Sequence, residues 1–104
     1  DMFLGVPFNI TSYSLLVYMI CEVLNNNLQN NMLFKPDKLK ISFGDLHIYQ
    51  KHYDSVKLQL DNVPYHFPQI KFLNNRNKLQ DFIYEDIILE NYFHHDKIQS
   101  EMIV

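Results

Sequence analysis

Two short stretches of the chain carry side chains that could together grip a small polar molecule. In Gly44-Asp45-Leu46-His47-Ile48-Tyr49, the histidine and tyrosine stand two positions apart, and on extended backbone they project to the same side. An imidazole nitrogen and a phenol each offer a donor or an acceptor, so the pair suits a shared hydroxyl group. Ordinary residues at the edge of a core are the competing reading. In Gly5-Val6-Pro7-Phe8-Asn9-Ile10, a tight entry into a helix, Asn9 is most simply a helix cap. Its amide also sets a donor beside an acceptor, a pattern that complements N3–H and O4 of uracil and that cytosine reverses.

Other reactive residue types have plainer readings. Cys21 is the only cysteine and sits among apolar residues of the same helix. It reads as a buried, inert thiol, because apolar surroundings disfavour the thiolate. A single cysteine excludes an internal disulfide and a cysteine-based metal site, and it fits a reducing compartment, which makes the expected location cytoplasmic. His94-His95-Asp96 reads as a solvated or locally hydrogen-bonded group. Adjacent histidines on a strand point to opposite faces, and no further pair lies at ligand spacing, so no metal is expected. The basic residues are eight lysines and one arginine, Arg76, which cannot form the arginine cluster that clamps a phosphate. A net charge of −3 gives no electrostatic case for nucleic acid or an anionic membrane as partner.

The elements that must position these groups follow from hydropathy patterning. The 104 residues suffice for one small domain, and 47% hydrophobic content favours a packed core over disorder. Pro7 to about Leu24 is predicted as a helix, with proline in its first turn and apolar residues at helical spacing around most of its circumference. Such a helix should be buried on most sides. Its longest strongly apolar stretch, Leu15 to Cys21, is far below the ~20 residues that span a bilayer. The run Asn25 to Asn31, in a segment 25–32, reads as a mobile surface insertion, since asparagine favours turns over helix interiors. Alternation predicts a strand over Lys38–Phe43, Gln69–Leu73 and Asp86–Tyr92 also read as strands, and His52–Leu60 fits a strand or a helix. The class is therefore α+β. An apolar run so close to Asp1 suggests a piece of a larger polypeptide, in which case some apolar faces have lost their cover.

The run from Asp1 to Ile10, continuing through Ser12-Tyr13, resembles the segment of thymidylate synthases that leads into their long central helix. The block Gly44 to Tyr49 resembles the sugar-binding segment of the same family, and Leu58-Gln59-Leu60, Val63-Pro64, Phe67-Pro68, Glu85-Asp86 and Glu101-Met102 agree further. The resemblance implies the C-terminal part of that fold, a long buried helix packed on a mixed β-sheet. It also implies reductive methylation of dUMP to dTMP with 5,10-methylenetetrahydrofolate as co-substrate, in a homodimer. By resemblance, Asn9 reads the uracil edge, His47 and Tyr49 bind the deoxyribose 3′-hydroxyl, and Ser12 supports water beside the base. Asp1 contacts the folate pterin, with its backbone near the nucleotide. Leu4, Gly5 and Phe8 line the folate site, and Met102, Ile103 and Val104 form a tail that closes over it. The family's catalytic cysteine and most phosphate-binding arginines belong to an upstream segment, so no catalytic residue is assigned here and these residues alone should be inactive. Lys51 replaces an asparagine, both prolines of the family's Tyr-x-Pro-His-Pro are missing from Tyr92–Asp96, and Ile103 replaces a small penultimate residue. The ending and the insertion look most like protozoan forms, often fused behind dihydrofolate reductase, although an AT-rich virus could look similar. A non-catalytic or degenerate ligand-binding or interaction domain is the alternative.

Overall fold

The computed structural model describes residues 1–28 and 32–103. Its first element, α1 (Val6–Asn27), is a 22-residue helix with Pro7 in the opening turn. A 3-10 turn over Gln50–His52 leads into α2 (Tyr53–Leu60), and β1 (Gln69–Phe72) pairs with β2 (Ile87–Glu90). The pairing is antiparallel, with Gln69 opposite Glu90 and Phe72 opposite Ile87. The chain is thus α+β, as the patterning predicts.

The ambiguous segment resolves as helix. Its first turn carries Asp54 and its last carries Lys57, each placed to offset the helix dipole. The strand predicted over Lys38–Phe43 is absent, and that segment has no regular structure. A strand exists only through its ladder partners, and β1 and β2 form a sheet of only two strands among the described residues. The expected mixed sheet is accordingly a single antiparallel pair.

The asparagine-rich run also differs from expectation. Asn25, Asn26 and Asn27 form the last turn of α1, and each side chain secures another segment. The Asn25 amide exchanges two hydrogen bonds with the Phe34 main chain, at 2.9 and 2.7 Å. Asn26 donates to the Arg76 carbonyl at 3.0 Å, and Asn27 to the Asn77 carbonyl at 2.8 Å. Asn26 and Asn27 tie the helix end to the loop between β1 and β2. Residues 29–31 of the predicted insertion lie outside the described residues.

Little of the apolar surface is covered. Phe3 and Val6 are the buried hydrophobic residues among those described, and Val6 is the only buried one in α1. The expectation of a buried helix therefore fails within this chain, for want of anything to pack over it. The accessible surface is 9126 Å². A self-contained protein of 12.5 kDa would expose about 6,200 Å². The radius of gyration, 17.1 Å, likewise exceeds the ~13 Å of a compact domain this size. By length and composition α1 is apolar enough to cross a membrane, a criterion that the longest apolar stretch alone did not meet. A core helix of a soluble protein meets it equally well.

Candidate functional site

The opening turn is built by Asp1. Its carboxylate accepts the Phe3 and Leu4 N–H groups at 3.0 and 3.2 Å, and its carbonyl accepts that of Val6 at 3.0 Å. Gly5 sits so close to this carbonyl that a Cβ there would lie 3.0 Å from it. The Asp1 carbonyl and carboxylate therefore supply the helix entry, which no capping side chain provides. Asn9 stands one turn into α1 with its side chain exposed, so the capping role predicted for it is not what the structure contains. Ser12 is exposed on the next turn of the same helix, and Phe8 between the entry and Asn9 is also exposed.

The second stretch docks against this turn. The Met2 N–H donates to the His47 carbonyl at 2.8 Å. His47 and Tyr49 do share a side, as their spacing predicts: the rings meet edge to face with centroids 4.8 Å apart. His47 Nδ1 lies 3.4 Å from the largely exposed Asp45 carboxylate, and its Nε2 makes no hydrogen bond among the described residues. Tyr49 in turn meets His52 edge to face at 5.8 Å.

His52 is the residue that sequence reasoning passed over. It is 1% exposed, against the Phe3 ring at 5.4 Å. Its Nε2 lies 2.8 Å from the Glu101 carbonyl and its Nδ1 3.8 Å from Asp1 Oδ1. Nδ1 has no hydrogen-bond partner among the described residues, a state that costs about 1–3 kcal/mol for a buried polar atom. The sequence signal was faint: a histidine at the join between a polar stretch and a segment of undecided type.

Of the residues expected at a folate, only Leu4 lines the depression beside the Asp1 turn, and Asp1, Gly5, Phe8, Met102 and Ile103 do not. Leu4 lines an open depression of about 450 Å³ together with Phe3, Pro7, Gln59, His95 and Ile98. Met102 is exposed and Ile103 half-buried, while Val104 lies outside the described residues. His94 and His95 are locally engaged, His94 with the carbonyl of its neighbour and His95 with that of Val63, each at 2.8 Å. Cys21 is free and half-buried, beside Phe72 and Ile70 rather than any of these groups.

Arg76 is committed elsewhere. It makes a two-pronged contact with Asp86, at 2.7 and 2.9 Å, and Asp86 is fully buried. The guanidinium contact first, then the Ile83 N–H and the Asn74 amide, hold the Asp86 carboxyl well below the usual carboxylate range. The hydrogen bond with Asp86 pushes the Arg76 pKa up in return. No arginine among the described residues remains for a phosphate.

Comparison with known proteins places the chain in a family. The family model described as thymidylate synthase matches residues 1–104. A thymidylate synthase of Saimiriine herpesvirus 2 is 45% identical over 104 residues, which is 100% of this chain and 33% of that protein. One from Francisella tularensis subsp. holarctica is 41% identical over 104 residues, covering 100% of this chain and 35% of its own length. A bifunctional dihydrofolate reductase-thymidylate synthase of Plasmodium chabaudi is 40% identical over 102 residues, 98% of this chain and 16% of that protein. The chain belongs to the thymidylate synthase family, and it spans about a third of the length of the single-function relatives it matches.

Proposed function

We propose that these residues are the nucleotide- and folate-facing part of an enzyme that converts dUMP to dTMP with 5,10-methylenetetrahydrofolate. The observation that carries the reading is the paired His47 and Tyr49, 4.8 Å apart on one side of a segment bonded to the Asp1 turn, in a chain that matches the family throughout. Nε2 and the phenol are left to take the 3′-hydroxyl of a deoxyribose from two directions. The Asn9 amide, free of any capping duty, reads the pyrimidine edge and selects uracil over cytosine. Ser12, on the same helical side, supports water beside the base. Asp1 contacts the pterin through carboxylate lone pairs not spent on Phe3 and Leu4, and its backbone lies near the nucleotide. Leu4, Gly5 and Phe8 form the apolar wall for the folate. Met102, Ile103 and Val104 close over it and exclude water.

Folate, as co-substrate, supplies the one-carbon unit and the hydride. The sulfur nucleophile and the phosphate-binding arginines come from other parts of the polypeptide, some arginines from the second subunit of a homodimer. Two features support this division of labour: Arg76 is spent on Asp86, and Cys21 lies half-buried on the far part of α1. The 104 residues alone are therefore inactive. In this reading α1 is a core helix, the protein is cytoplasmic, and neither nucleic acid nor membrane is a partner.

The test uses the full-length polypeptide. It should form dTMP from dUMP and the folate, and His47→Ala and Tyr49→Phe should each weaken dUMP binding about tenfold, the worth of one good hydrogen bond. With 2′,3′-dideoxy-UMP, which lacks the hydroxyl, variants and wild type should bind alike. Equal losses on both nucleotides would remove the pair from the sugar.

A further inference from the structure

The depression that Leu4 lines is bounded by the helix entry, the end of α2 and residues 95–98. Its apolar lining is Phe3, Leu4 and Pro7 from the entry, with Pro64 and Ile98. Gln59 and Asn62 add amides. Their main chains bond each other at 3.2 Å, and neither side chain makes a hydrogen bond among the described residues. Asp96 adds a carboxylate. No lysine or arginine among the described residues lines the depression, and the neighbouring Asp61 and Lys97 do not line it either.

The residue before this acid is anchored. His95 Nε2 lies 2.8 Å from the Val63 carbonyl, and its ring lies against Tyr65 with centroids 4.7 Å apart. Donation to a carbonyl uses the Nε2 proton, so the imidazole does not offer it to an anion in the depression. Asp96 follows directly, is exposed, and has no ion-pair partner among the described residues. It stands at the second proline of the family's Tyr-x-Pro-His-Pro pattern, so this chain carries a charge where that pattern is neutral.

Folates end in a benzoyl ring joined through an amide to one or more glutamates, and each added glutamate adds a carboxylate. An apolar floor with two unengaged amides suits the ring and its amide linkage. A carboxylate approaching Asp96 meets a like charge with no base on the lining to offset it. We infer that Asp96 is a specificity-determining residue that turns this site against folates with long anionic tails. The inference rests on the proposed function, which sets the folate against Leu4, and goes beyond it in saying which folates are disfavoured.

The experiment uses the full-length polypeptide, with the monoglutamyl and triglutamyl forms of 5,10-methylenetetrahydrofolate as probes. Assays run at pH 8, where an ordinary imidazole is neutral. The quantity read is the KM of the triglutamyl form divided by that of the monoglutamyl form. Asp96→Asn removes the charge in nearly the same shape, and the ratio should fall about threefold, the scale of one exposed charge contact. Asp96→Lys reverses the charge and should lower the ratio about tenfold. Because the effect is electrostatic, raising the salt to about 0.5 M should draw the three proteins together. A merely structural role would change KM for both forms alike and leave the ratio at its wild-type value. A wild-type ratio in both variants, or a difference that salt does not reduce, overturns the inference and leaves the proposed function intact. A wild-type protein that forms no dTMP from either folate overturns both.

Discussion

Around Asp86 four donors converge on one carboxylate, all from the preceding twelve residues, whereas the 22 residues of α1 bury a single side chain. The two regions belong to one chain of ordinary composition, and the difference lies in the range of the forces. Hydrogen bonds are satisfied by neighbours, so Asn74, Arg76 and Ile83 complete the loop without help. Burial of an apolar helix needs a second surface, and the excess of exposed area over about 6,200 Å² shows that these residues do not supply it. Phe67 and Tyr84, 96% and 89% exposed, are further aromatic surface that these residues leave uncovered.

That contrast can be broken most directly by comparing the isolated 104 residues with the full-length polypeptide. In isolation, α1 amides should exchange freely and a hydrophobic dye should bind, with no cooperative unfolding; in the full-length protein the same amides should be among the slowest. Rapid exchange in both would refute the missing cover. Next in size is Asp86→Ala in the full-length protein, which strands Arg76 and frees the loop that α1 grips through Asn26 and Asn27. A fall in Tm of roughly 5–10 °C is expected. An unchanged Tm would show that the loop does not depend on its carboxylate.

Acid should act through the same residue with a definite sign. Because its folded pKa is depressed, Asp86 contributes stability that is fully present above an unfolded value of about 4 and lost as pH falls below it. Denaturant titrations from pH 6 to 2 should show Asp86→Asn with a flatter acid limb than wild type. Gly5→Ala is a smaller change: its Cβ would press on the Asp1 carbonyl at 3.0 Å, costing about 1 kcal/mol in denaturant midpoint measurements. Smallest of all, Lys57→Ala removes an exposed pairing with Asp54 and should leave Tm unchanged.

The sequence spoke clearly where local rules suffice. Pro7 and the apolar spacing marked α1, the runs Gln69–Leu73 and Asp86–Tyr92 marked β1 and β2, and two-residue spacing placed His47 and Tyr49 together. It failed where a partner decides the outcome. Residues 38–43 alternate like a strand but pair with nothing here, and the circumference of α1 was expected to be buried in a chain that lacks its cover. The asparagines at positions 25–27 misled through a propensity that tertiary contacts override: each finds a carbonyl to bond, so the helix continues. His52 escaped notice because its importance lies in contacts with Asp1 and Glu101, at opposite ends of the chain.

The base-reading role proposed for Asn9 is what ties the site to a pyrimidine nucleotide. In the full-length protein, Asn9→Asp replaces the amide donor by a second acceptor, and the ratio of kcat/KM for dCMP over dUMP is the quantity to measure. A rise of about a hundredfold or more is predicted, as expected when a buried polar pairing is reversed. An unchanged ratio would contradict it and take Asn9 away from the base.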